Sequence, residues 1–168
     1  MRLNRSELDS SSWDEIRIEG WFNGLLPPEW EIEEDDEVVL FDPAGFGELR
    51  VSFIINKTSK SKKERAMEII SEWRDELNSH FDNDISVLKR TRHVFSLSAE
   101  FTASETEGDL IFWRIIPVIG KKISLDISYS CAVEDRDREE NIVDAIVDSI
   151  RLLEPSMEKN EVRLTDQG

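Results

Sequence analysis

One cysteine and two histidines among 168 residues leave little material for disulfides or soft-metal sites. A lone thiol excludes an intramolecular disulfide framework and suits a reducing compartment. A Cys/His metal centre needs more ligands than Cys131, His80 and His93 supply. Long apolar runs are missing as well. No window approaches the ~20 apolar residues needed to span a bilayer. The N-terminus, MRLNRSELDSSSW, lacks the apolar region of a secretory signal. The expected setting is cytoplasmic, with no membrane contact. Positive charge is scarce: 21 Lys and Arg stand against 37 Asp and Glu, a net charge of −16. That balance opposes non-specific binding to nucleic acid and favours a basic protein partner.

Catalytic signatures are absent too. No phosphate-binding GK[ST] loop, G-x-S-x-G elbow or H-E-x-x-H helix occurs. The Gly45-Phe46-Gly47 turn has neither the third glycine nor the following helix of a dinucleotide loop, and reads as a turn between strands. Asp135-x-Asp137-x-Glu139 has a calcium-like spacing, but Glu140 and Ile146 stand where an EF-hand needs Gly and Glu. Acids favoured by a helix N-terminus explain that cluster more simply. A nucleophilic Cys131 would need a base within hydrogen-bond reach, so Cys131, His80 and His93 are assigned structural roles. The basic patches Lys57–Arg65 and Lys89–Arg92 lack the interleaved aromatics of a nucleic-acid platform and read as solvated faces. No catalytic residue, metal ligand or cofactor is assigned.

What is present is a strong β-pattern around Asp109–Val133, where two apolar runs flank a Gly120-Lys121-Lys122 turn. In the second run Ile123, Leu125, Ile127, Tyr129, Cys131 and Val133 alternate with Ser124, Asp126, Ser128 and Ser130. The first run is apolar on both parities, as in a strand covered on two sides. Pro117 within it predicts a bulge or an edge position. Upstream, strands are expected over Trp13–Phe22, around Trp30 and Ile32, over Val38–Phe41, and from Leu49 to Ile55. Gly24-Leu25-Leu26-Pro27-Pro28 is read as the break after the first. Ser61-Lys-Lys-Glu64 predicts a capping box opening a helix, with Ala66, Ile69, Ile70, Trp73 and Leu77 on its buried stripe. A short strand at Ile85–Leu88 and a longer one from His93 to Phe101 follow, then a polar turn over Thr102–Gly108. A terminal helix is predicted from Asp137 to Leu153, with Ile142, Ala145, Ile146, Ile150 and Leu153 inward and Val143 and Val147 beside them. Residues 1–12 are expected to be disordered, 13–154 to form a single domain, and 155–168 a polar tail.

This order of meander, helix, meander and terminal helix resembles the PsbP-like fold superfamily. The carrying features are LPPEW at 26–30, the acidic turn before VVLFD at 38–42, LRVSF at 49–53, and ISYSC at 127–131 leading to a terminal helix. The resemblance implies an α+β domain in which an antiparallel β-sheet is sandwiched between helices. Photosystem lumenal subunits, a nuclear Ran-binding factor and DcrB-like and Eag-type secretion-chaperone domains share it. None of these motifs carries catalytic residues.

The expected function is a non-catalytic soluble binding domain: an adaptor, a secretion-type chaperone or an inhibitor of a basic partner. The alternative is an enzyme or small-ligand carrier with a pocket between helix and sheet. The binding reading predicts a flat or grooved, acidic, aromatic-edged face. The candidate partner site is the run Glu31, Glu33, Glu34, Asp35, Asp36 and Glu37, six carboxylates in seven residues at a turn between strands.

Overall fold

The structure, a computed structural model, describes residues 10–57, 59–80, 83–90, 97–104 and 110–153. In chain order the elements are β1 (Asp14–Ile18), β2 (Phe22–Leu26), β3 (Glu31–Glu34), β4 (Val38–Phe41), β5 (Gly47–Ile55), α1 (Lys62–His80), β6 (Asn83–Arg90), β7 (Leu97–Ser104), β8 (Leu110–Ile119), β9 (Ile123–Ala132), α2 (Glu140–Ser149) and β10 (Arg151–Leu152). Seven strands form one antiparallel sheet in the order β3-β4-β5-β9-β8-β7-β6. The predicted hairpin is therefore the middle of the sheet, with Ile127 of β9 opposite Val51 on one side and Ile116 on the other.

The alternation of β9 explains the layers. Leu125, Ile127, Tyr129 and Cys131 face a large core with Leu40, Leu49, Val51, Phe112 and Ile116, closed by Val143, Ile146, Val147 and Ile150 of the α2 segment. On the opposite face Ile115, Phe101 and Ala99 meet Ala66, Ile69, Ile70 and Leu77 of α1. The sheet thus lies between two helices in an α+β domain. Ser124 and Ser128, on the polar parity of β9, are nevertheless buried. Ser124 is satisfied by donating from Oγ to Asn56 Oδ1 at 2.8 Å. Ser61 Oγ accepts the Glu64 N–H at 3.2 Å and donates to the Glu64 carboxylate at 3.1 Å, as the predicted cap requires in part.

Several sequence expectations are corrected. Trp13–Phe22 is not one strand: the chain turns after Ile18, where Trp21 N–H reaches Ile18 O at 2.9 Å and Gly20 has φ 78°. Gly24, Leu25 and Leu26 belong to β2, and only the prolines interrupt the ladder. β1 and β2 leave the main sheet and form a second, three-stranded sheet, β1-β2-β10. Trp21 stacks on Phe53 of β5 at 5.3 Å, holding that small sheet against the large one.

The terminal helix is shorter than its apolar period. Val133–Asp135 form a 3-10 turn, and α2 ends at Ser149. Ser149 Oγ donates to Ile146 O at 2.6 Å and accepts Leu25 N–H at 2.8 Å, which fastens the helix end to β2. Ile150 is extended, and Arg151 and Leu152 pair with Asn23 and Phe22 instead of continuing the helix. The buried stripe centres on Val143, Ile146 and Val147, with Ile142 and Ala145 at its half-buried margin. Arg114 of β8 reaches α2 through the core side, its Nη1 2.6 Å from Asp144 Oδ1, an ion pair by proximity rather than an aligned hydrogen bond.

Pro117 lies in unbroken register opposite Asp126, without a bulge, and the pairing of β8 with β7 stops at Ile115. Its missing N–H falls where that ladder has ended. The bulge is on β6, between Ile85 and Val87. The predicted His93 strand start and most of the 102–108 turn lie outside the described residues, as do 1–9 and 154–168; Ser10–Ser12 form a 3-10 turn.

Candidate functional site, an acidic aromatic groove

Helix α1 packs mainly on β8, β7 and β6, meets β5 only near Ile54, and among the described residues no helix covers the β4 side of the same face. The residues exposed there are the polar parity of the sheet. A groove of about 910 Å³ results, between the α1 face, the sheet surface and the loop joining β4 to β5. Among the described residues four carboxylates line it, Glu37, Asp42, Glu48 and Glu76, against one cation, Arg50. Phe41, Phe46, Trp73 and Trp113 supply its aromatic edges.

Trp73 was expected on the buried stripe of α1. It is half-buried instead, at the margin of that core, although Leu77 one turn later is enclosed again. Its ring lies 5.5 Å from that of Trp113, tilted by 39°. The Trp73 Nε1–H donates to both Asp126 carboxylate oxygens at 2.9 Å. Burial pushes the Asp126 carboxyl up to about 6; the indole N–H opposes this, and the charges of Glu72, Glu37 and Glu76 add to it.

Arg50 spans the other side. Its Nη1 pairs with Glu37, while Nη2 and Nε reach Glu48 Oε1 at 2.7 and 3.0 Å. These contacts, Glu48 first, hold the guanidinium above its usual pKa despite partial burial.

The loop wall is fixed from beneath. Glu139, at the start of α2, is 4% exposed, and its Oε1 accepts Phe46 N–H at 3.2 Å, Gly47 N–H at 2.8 Å and Tyr129 O–H at 2.8 Å. Arg138 lies over the Phe46 ring, 4.8 Å from its centroid. Close approach demands glycine here: a Cβ on Gly47 would sit 2.3 Å from Ser130 O, and one on Gly45 2.6 Å from Glu139 Oε2. Burial, then the bond to Glu139, raises the Tyr129 phenol above its ordinary range. Burial likewise pushes the Cys131 thiol up to about 11, so it stays protonated at neutral pH.

The candidate partner run occupies the β3–β4 hairpin at the edge of the sheet. Glu31, Glu33 and Glu34 are exposed on β3, Asp35 and Asp36 form the turn, and Asp35 N–H bonds Glu37 O at 3.1 Å. Only Glu37 of the six lines the groove, and it is ion-paired. The hairpin thus leads into the groove without being its centre. His80 ends α1, and His93 lies outside the described residues. Among the described residues no group of three or more His, Cys, Asp or Glu side chains is arranged to hold a metal, and no helix is long and apolar enough to cross a membrane.

No family model matches the chain, and no curated protein matches it by sequence. Solved structures do match. The Ran-binding protein Mog1p of Saccharomyces cerevisiae superposes with a TM-score of 0.61 at 11% identity, over 85% of this chain and 96% of that one. Cyanobacterial PsbP from Synechocystis gives 0.58 at 12%, over 84% and 93%. LpqN of Mycobacterium tuberculosis, involved in cell envelope biogenesis, gives 0.51 at 9%, over 84% and 86%. The chain has the PsbP-like fold. Identities this low establish the fold alone.

Within the PsbP-like fold, this groove depends on residues that the sequence did not single out. Arg50 and Glu48 share the outward parity of β5, and that alternation was the available signal. In the sequence Glu139 is one acid among several favoured by a helix N-terminus. Its burial depends on the 42–47 loop folding over it, which no local pattern announces.

Proposed function

We propose that the chain is a non-catalytic, soluble binding domain of the cytoplasm that receives a basic segment of a protein partner. The segment meets the acidic β3–β4 hairpin first and lies in the groove. The observation that carries this reading is the groove lining, in which the described residues place four carboxylates and four aromatic rings against one guanidinium. Aromatic rings bury area at low conformational cost, and carboxylates steer a cationic segment toward them. The fold likeness to a Ran-binding protein supports a protein as the class of partner. An adaptor, a secretion-type chaperone and an inhibitor of a basic partner all use such a surface.

Partners recovered from the native cell at low and high salt supply the ligand for the test. Association rates are then measured against ionic strength for the wild type and for a variant with Glu33, Glu34, Asp35 and Asp36 changed to Gln or Asn. Slower association and a flatter salt dependence in the variant, at an unchanged or higher thermal midpoint, support the reading. Identical rates and slopes remove the hairpin from the interface.

A further inference from the structure

We propose that the acidic corner made by Glu37 and Glu48 is a guanidinium site for an arginine of the partner, and that Arg50 occupies it in the free chain. This rests on the basic-partner reading and specifies how the groove recognises its ligand.

The geometry displays the recognition. Glu37 precedes β4 and Glu48 lies on β5, so two adjacent strands present carboxylates to a common point. A single guanidinium spans them, Nη1 on Glu37 and Nη2 with Nε on Glu48. This is the planar fork for which arginine is suited and a lysine ammonium is not. The clasp lies in the groove and stays accessible, with the Arg50, Glu37 and Glu48 side chains 40%, 35% and 39% exposed. Ion pairs so open to water hold their partners weakly. A partner arginine can therefore exchange for Arg50 without leaving either carboxylate unpaired, and Trp73 and Trp113 line the same groove to stack on its apolar stem and charged plane. Arg50 offsets one of the two negative charges in the free site and sets a threshold that an incoming arginine must exceed.

The test uses a dye-labelled, acetylated and amidated hexa-arginine peptide, with hexalysine beside it, and reads affinity by fluorescence anisotropy. Arg50→Lys keeps the net charge but cannot fork across both carboxylates; Arg50→Gln empties the site. Arg17→Gln, on the small sheet, controls for net charge alone. Hexa-arginine is expected to bind Arg50→Gln at least about threefold more tightly than it binds Arg17→Gln, the scale of a partly exposed ion pair. Arg50→Lys should fall between Arg50→Gln and wild type, with smaller gains for hexalysine throughout. Adding Glu37→Gln and Glu48→Gln should abolish the gain. Equal gains in Arg50→Gln and Arg17→Gln, or a gain surviving loss of both glutamates, overturn the site while leaving the basic-partner reading standing. No binding of either peptide by any of these proteins overturns both.

Discussion

Replacing Glu139 by alanine removes the acceptor for two backbone N–H groups and one phenol, all drawn to a single oxygen within 3.2 Å. A buried donor left unsatisfied costs about 1–3 kcal/mol. Tyr129 is fully enclosed, whereas Phe46 and Gly47 admit water, so their share lies at the low end. Loss of the desolvated carboxylate itself returns part of the cost. The balance is about 3–4 kcal/mol for Glu139→Ala. Glu139→Gln keeps an acceptor oxygen but not its charge, and should cost about half as much. Urea unfolding at pH 7 measures both. Tyr129→Phe completes a double-mutant cycle, in which the coupling to Glu139 should reach about 1 kcal/mol. A loss below about 1 kcal/mol for Glu139→Ala, or no coupling to Tyr129, would refute the view that this carboxylate holds the groove wall.

The pH dependence of stability should carry the mark of Asp126. Its folded pKa, about 6, exceeds the ordinary carboxyl value of 3.8, so the folded state binds the proton more tightly. Its contribution therefore falls as pH rises from about 4 to 6, and Asp126→Asn, which still accepts the Trp73 N–H, should be the more stable protein above pH 6 by about 2 kcal/mol; denaturation midpoints of both proteins at pH 4 and 7 check this. Gly47→Ala places a methyl group against Ser130 O and the Tyr129 hydroxyl and should cost about 1–3 kcal/mol by thermal or urea unfolding.

Local periodicity made the main sheet legible. The strict alternation of Ile123–Val133 and the doubly apolar Ile111–Ile116 stretch place β8 and β9 side by side near its centre. The Ser61–Glu64 cap likewise marks the start of α1. What escaped depends on contacts distant in sequence. The stretch 150–152 is apolar enough to continue α2, but Ser149 bonding Leu25 turns the chain into a strand on β2, more than a hundred residues away in sequence. The acidic run was visible as charge, but its relation to Arg50, Trp73 and Trp113 exists only once β4, β5 and α1 meet. Trp73 has the period of a core residue and the position of a groove residue, because its indole is held by Asp126 and Trp113 at the margin of the core that encloses Leu77.

The proposed function requires basic ligands to dock in this groove. Two-dimensional NMR of the nitrogen-15-labelled chain, titrated with the hexa-arginine peptide at low salt, tests it most directly. Shifts are expected to concentrate on the Trp73 and Trp113 indole N–H groups, the Gly45–Gly47 amides and the Arg50 side chain, and to fade as salt is added. Shifts gathered on the small β1-β2-β10 sheet or the outer face of α2, with the two indoles unmoved, would contradict it.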